Sequence, residues 1–207
     1  MTSRPFERFA AVCALAVGLS ALAYAAAFIV VLKRSPENAD AVRNAVLLAG
    51  GLLSTAVYVA LYDRLRAVDP LFALWGFIIG VGGALGSVAH GGFELAKIAH
   101  KTTANTDFAN PVDPRGLFTF GLSAVAAFVF AWLIVRGGGL PRELGYLAVI
   151  SGLLLLVVYF GRLIIFDPES PGLFVVAVIV GFVVNPGFYL WLGRELWRGA
   201  AVPQPSA

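Results

Sequence analysis

The stretch LFALWGFIIGVGGALGSVAHGGF, residues 71–93, contains no Asp, Glu, Lys or Arg and is long enough to cross a lipid bilayer as a helix. A spanning helix needs roughly 20 apolar residues, because each residue adds about 1.5 Å of rise. Five further runs without these residues share the property: residues 9–32, 44–62, 116–135, 144–161 and 172–193. The sequence therefore predicts an all-α, polytopic membrane bundle of six transmembrane helices.

The composition supports this fold class. Of the 207 residues, 59% are hydrophobic and only 13% are charged, whereas soluble domains are about one quarter charged. Six helices with short loops use up the chain, so we expect one transmembrane domain over residues 1–200 and a disordered tail over 201–207. The Lys and Arg residues lie almost wholly at the ends of the runs, where they anchor helices against a lipid bilayer. The net charge of +3 is therefore not a signal for nucleic-acid binding.

The helix boundaries are marked by local sequence signals. A capping residue followed by proline is typical of a helix start, and this pair occurs at Ser35-Pro36, Asp69-Pro70, Asp113-Pro114 and Ser170-Pro171. Leu140-Pro141 marks another start, and three glycines at 137–139 should end the fourth helix. The first run continues well beyond the 7–15 residues of the apolar region of a signal peptide, so we expect a retained first helix. The third connection, residues 98–113, is the longest and is polar, which favours a lid or a partner contact.

The third run carries an unusual stripe of small and ionisable residues. Steps of three or four residues place on one helix face Gly76, Gly80, Gly83, Ser87, His90, Glu94 and Lys97. The first four are small, which favours close helix packing. The last three are ionisable and would favour a polar pocket or a proton relay near one membrane surface. The alternative is that Glu94 and Lys97 pair at the interface and that the whole stripe is a packing seam.

Two other spans add polar candidates. Arg162 begins about one turn inside the apolar zone and, by the parity of the spans, could meet Glu94. In the sixth run, Asn185-Pro186-Gly187 interrupts the helix, and Asn185 shares a face with Tyr189. A broken helix of this kind can line a binding site, or it can be a plain structural kink. Ser54, Tyr58 and Tyr62 form a weaker polar line in the second run.

The sequence contains no complete catalytic or metal motif. Its two histidines and single cysteine, Cys13, are too few for the usual zinc sites. We therefore predict no catalytic residues and no metal site, and the sequence assigns no cofactor.

Three groups of residues together resemble a known family. They are His90–Ala96, Asp113–Gly121, and the pair of segments 139–146 and 159–164. These segments are similar to bacterial six-helix integral membrane proteins grouped as a domain of unknown function. The resemblance implies a fold and a bacterial membrane location, but it carries over no activity and no site residue.

The interpretation that the sequence favours is an accessory or small-molecule-binding membrane protein without catalysis. The alternative is a small-solute or proton-coupled transporter whose polar site is formed by helices three, five and six; a membrane enzyme ranks third. A membrane protein partner or a homo-oligomer fits the accessory role. Lys and Arg are nearly balanced between the two sides, but loops two and four, whose basic residues are all arginine, favour cytoplasmic termini and an inner-membrane location.

Overall fold

The computed structural model of the protein describes residues 4–27, 36–100, 117–137, 139–165 and 171–201, and these residues form helices without any strand. The α-helices are α1 (Arg4–Ala26), α2 (Pro36–Leu65), α3 (Pro70–His100), α4 (Ser123–Val135), α5 (Arg142–Ile165), α6 (Pro171–Ile179) and α7 (Asn185–Ala201). A π-helical segment, Leu117–Leu122, leads into α4, and a second, Val180–Val184, joins α6 to α7. We call these two composite elements the fourth and the sixth span.

The predicted architecture is confirmed. The described residues form six helical spans that are long and apolar enough to cross a membrane. α3 starts at Pro70, directly after Asp69, as the predicted signal requires, and the described parts of α2 and α6 begin at Pro36 and Pro171. The glycines after α4 adopt positive φ values, +120° at Gly137 and +68° at Gly139, which end the helix in a conformation that other residues rarely adopt.

Some predictions fall on parts of the chain outside the described residues. These are the caps at Ser35, Asp113 and Ser170, most of the polar third connection, the end of the first run and the tail.

Asp69 caps α3 as its position before Pro70 predicts. Its Oδ1 atom accepts hydrogen bonds from the backbone N–H groups of Leu71 and Phe72, each at 3.0 Å. Replacing Asp69 with alanine should lower the free energy of unfolding by about 1 kcal/mol, because these N–H groups lose their acceptor. Asp69→Asn keeps a capping oxygen and should leave the value nearly unchanged. Unfolding of both variants in mixed detergent micelles measures the difference, and equal losses would contradict the capping role.

The spans are arranged as a closed ring. Each span packs against the next one along the chain, and the sixth span returns to pack against α1. Because the number of spans is even, the first and last described residues, Arg4 and Ala201, lie on one side of the bundle. We call this the terminal side and the other the opposite side.

The two halves of the bundle differ in packing. On the terminal side the centre of the ring is filled by fully buried apolar side chains: Ala10, Ala11, Cys13, Ala14, Leu61, Leu65, Phe130, Leu133, Ile134, Leu144, Leu192 and Leu196. They come from α1, α2, α4, α5 and α7. Toward the opposite side the ring instead surrounds a cavity.

Candidate functional site

A cavity of about 260 Å³ lies in the centre of the ring. Every span contributes to its lining. Leu61, Phe130 and Ala148, which belong to the buried core, close it toward the terminal side. From there the lining extends toward the opposite side, where Tyr24, Val46 and Phe174 contribute to it.

The polar part of the lining consists of hydroxyl groups and one amide. The residues are Ser20, Tyr24, Ser54, Tyr58, Ser87, Thr119, Ser123, Ser151, Asn185 and Tyr189. None of the described residues that line the cavity is charged. The site is therefore polar without carrying a formal charge.

Four of these hydroxyl groups interact in a chain at mid-bundle. The side chain of Tyr58 interacts with those of Tyr189 and Ser123, and Tyr189 also interacts with Ser54. The chain links α2, α4 and α7 across the ring. The ring of Tyr58 is stacked on Phe130, with centroids 5.8 Å apart and planes 16° apart, so the position of its hydroxyl is fixed by packing.

The remaining hydroxyl groups differ in how they are satisfied. Ser54 donates to the carbonyl oxygen of Gly50 at 2.8 Å, and Ser87 donates to that of Gly83 at 3.2 Å. Both oxygens keep lone pairs that can accept a further bond. Thr119 is only 5% exposed, and its hydroxyl oxygen has no hydrogen-bond partner among the described residues. A buried hydroxyl without a partner costs about 1–3 kcal/mol, so an added donor or acceptor here would be stabilising.

Both π-helical segments border the cavity. Thr119 and Phe120 line it from Leu117–Leu122, while Val180 and Gly181 line it from Val180–Val184. The second segment precedes Pro186, which has no N–H to give to the preceding turn, and the backbone N–H of Asn185 bonds to Val180 instead. Such insertions are common at functional sites because they turn side chains and carbonyls out of helical register.

The structure brings some of the predicted site residues to the cavity. Asn185 and Tyr189 lie on its wall, and so does Ser87, which the sequence singled out as a packing residue. Gly76, Gly80 and Gly83 are buried on the same face of α3. There they pack against neighbouring spans: a Cβ atom added to Gly80 would lie 2.8 Å from the Tyr58 ring.

The ionisable candidates are not part of the described lining. Glu94 and Lys97 form an ion pair at 3.5 Å one helical turn apart, near the end of α3. His90 is half-buried one turn before Glu94. Arg162 belongs to α5, but its side chain lies outside the described part of the structure, so the Glu94–Arg162 pair stays a prediction.

Sequence reasoning missed several cavity residues, namely Ser20, Tyr24, Thr119, Ser123 and Ser151. The sequence does contain a signal for these residues. Each of the six uncharged runs carries at least one Ser, Asn or Tyr away from its ends, and antiparallel spans bring such residues to similar depths. A single serine in an apolar helix gives no periodicity, so it goes unnoticed when each run is read alone.

Comparison with known proteins adds no relative: no family model, no curated protein and no solved structure matches this chain. The resemblance to a family of unknown function stays a prediction.

Proposed function

We propose that this protein binds a small molecule in the central cavity and does so without catalysis. The observation that carries the proposal is a membrane-embedded cavity whose wall gathers hydroxyl and amide groups from all six spans. Ligand pockets are usually concave and mostly apolar, with a few convergent polar groups that fix orientation. This cavity has that composition.

The same lining favours binding over catalysis. A serine or tyrosine hydroxyl needs a neighbouring base to become a nucleophile. Among the described residues of the lining, none is a histidine, a lysine or a carboxylate. Ser54 and Ser87 donate to backbone carbonyls instead, and Tyr58 interacts with Tyr189 and Ser123, which suits recognition.

The second candidate function is transport of a small solute. One observation favours it: the cavity reaches from mid-bundle toward the opposite side, while the terminal half of the ring is packed with apolar side chains. Alternating access needs a state that is closed on one side only, and transporter sites are typically formed by discontinuous helices. The sixth span, broken by Val180–Val184 and Pro186, is discontinuous in this sense.

Filling the cavity tests the proposal. Ser151 is 3% exposed and lines the cavity, whereas Leu153 on the same helix is 53% exposed and faces outward. Native mass spectrometry of the protein, gently extracted from its own membrane, should show a reproducible small-molecule adduct. Ser151→Phe should lower its occupancy about tenfold or more, equivalent to about 1.4 kcal/mol of binding free energy. Leu153→Phe should retain it.

Two results would contradict small-molecule binding. One is an adduct that Ser151→Phe and Leu153→Phe affect equally, because that molecule would be held outside the cavity. The other is a second polypeptide in fixed ratio with no adduct, which would instead support an accessory subunit. If an adduct is found in the cavity, uptake of the same molecule into liposomes separates transport from binding alone.

We further propose a bacterial inner-membrane location with both chain termini in the cytoplasm. Support comes from the six apolar spans and from the arginines of the loops on the terminal side. In this orientation the cavity lies in the outer half of the bundle, and its ligand would come from the extracytoplasmic side.

A further inference from the structure

The polar residues are unevenly distributed over the cavity wall. Seven of the ten come from the first four spans, where apolar residues such as Val17, Val46 and Phe120 lie between them. The seven are Ser20, Tyr24, Ser54, Tyr58, Ser87, Thr119 and Ser123. Toward the opposite side, α5 and α6 contribute apolar groups, namely Leu155, Val158, Leu173, Phe174 and Ala177. Because the spans follow one another around a ring, the first group faces the second across the cavity. We call the first group, together with Tyr189 of α7, which interacts with Tyr58, the hydroxyl wall, and the second group the apolar wall.

The hydroxyl wall can both donate and accept hydrogen bonds. Each hydroxyl carries one donor and two acceptor sites. Ser54 and Ser87 donate to backbone carbonyl oxygens and keep lone pairs that can accept a bond from a ligand hydroxyl. A hydroxyl group of the wall that has no such acceptor can donate to a ligand carbonyl. Thr119, whose hydroxyl has no partner among the described residues, adds unused capacity on the same side.

Charge on the ligand is disfavoured by the same geometry. A charged group in a membrane-embedded cavity needs a counter-charge, because hydroxyl groups alone do not replace its hydration. The described lining offers no such counter-charge. Size is limited as well. The volume of 260 Å³ is less than twice that of an apolar cavity of about 150 Å³ that binds benzene, which allows roughly ten non-hydrogen atoms.

We infer that the cavity selects an uncharged amphipathic molecule of about this size. Its hydroxyl or carbonyl group bonds to the hydroxyl wall, and its hydrocarbon part packs against the apolar wall. The inference rests on the proposed binding function and adds the chemical class of the ligand to it.

Protection of a cysteine placed in the cavity tests the ligand class. The natural Cys13 is buried in the core, and Cys13→Ala removes it as background. In that protein Ser151→Cys places a thiol on the cavity, and Leu153→Cys places a control thiol on the outer surface. The rate of alkylation by N-ethylmaleimide in detergent is then measured with benzyl alcohol, toluene, benzoate or benzylammonium, which share one ring and differ in polarity and charge.

Benzyl alcohol should slow alkylation of the cavity thiol at the lowest concentration. Toluene should need about fivefold more, the equivalent of one net hydrogen bond. Benzoate and benzylammonium should need a concentration about tenfold higher than that of benzyl alcohol, or should give no protection. Tyr58→Phe and Tyr189→Phe should weaken protection by benzyl alcohol about fivefold and leave toluene unchanged. Tyr62→Phe, outside the described lining, should change neither, and no probe should protect the Leu153→Cys thiol.

Other outcomes would overturn the inference. Protection by an ion that equals or exceeds that by benzyl alcohol would mean that the cavity accepts charge. Equal protection by toluene and benzyl alcohol, unaffected by the tyrosine variants, would mean that the hydroxyl wall takes no part. Either result would overturn the proposed ligand class but not the proposal that the cavity binds a small molecule. If no probe protects and the native protein carries no adduct, the proposed binding function itself fails.

Discussion

Gly91→Ala is expected to lower the free energy of unfolding by about 3 kcal/mol, whereas Gly92→Ala should change it by less than about 1 kcal/mol. A Cβ atom at Gly91 would lie 2.8 Å from the backbone nitrogen of Leu48, and it would also meet the carbonyl oxygen of Asn44. Both atoms belong to the backbone of α2 and cannot rotate away. The added methyl group must push α2 and α3 apart, which places the cost at the upper end of the range for overpacking.

The neighbouring glycine provides the control. A Cβ atom at Gly92 would meet only the Cδ1 atom of Leu48, at 3.5 Å, an ordinary van der Waals distance. Both substitutions gain the same helix propensity of alanine over glycine, so the difference between them isolates the steric term. Titration with sodium dodecyl sulfate in mixed micelles measures both variants. Equal stability of the two would show that α2 and α3 do not approach as closely at Gly91.

The second large effect is expected at an ion pair between the first two spans. The Nε atom of Arg64 donates to Oε1 of Glu7 at 2.9 Å, and its Nη2 atom contacts the same oxygen. The side chains are only 18% and 15% exposed. Gly199 of α7 lies directly against the guanidinium group, so the pair holds α1, α2 and α7 together on the terminal side.

Removing one partner should destabilise the bundle clearly. Arg64→Ala or Glu7→Ala is expected to cost about 3 kcal/mol, because the other charge stays partly buried without its counter-ion. Arg64→Lys should recover only part of this loss, since an ammonium group does not reproduce the two guanidinium donors that meet one oxygen.

An exposed pair on the same side serves as the comparison. Arg198 and Glu195 lie 3.4 Å apart, and their side chains are 58% and 16% exposed. Glu195→Ala should cost less than about 1 kcal/mol, because the arginine that it leaves without a partner is well exposed. A double-mutant cycle between Glu7 and Arg64 in mixed micelles gives the coupling energy. A coupling no larger than that of the exposed pair would contradict the proposed role.

Much of the fold could be predicted because its signals are local. An uncharged run of about 20 residues indicates a membrane-spanning helix, whatever the sequence of the rest of the chain. Proline after Ser or Asp indicates a helix start in the same way, and α3 begins at Pro70, directly after Asp69. The single-residue candidates in the sixth run, Asn185 and Tyr189, were also visible because they interrupt an otherwise apolar helix.

The site itself could be predicted only in part. The stripe on α3 drew attention to His90, Glu94 and Lys97 because ionisable residues stand out in an apolar run. The structure places the cavity deeper in the ring and lines it with serine, threonine and tyrosine. These residues are weakly polar, and their hydroxyl groups can donate to backbone carbonyl oxygens of their own helix, as those of Ser54 and Ser87 do. Their significance appears only when several spans bring them together.

The sequence by itself determined the number of spans, most of their boundaries and the lipid environment, because hydrophobic length and helix capping are properties of short stretches of chain. The tertiary structure decided which helix faces meet, where the glycines touch backbone, and that Glu7 lies beside Arg64. It also decided that one half of the ring is filled by packed apolar side chains and that the other half encloses a cavity. The physical reason is that the rotation of each helix about its axis is set by packing against its neighbours, which span length and composition do not encode.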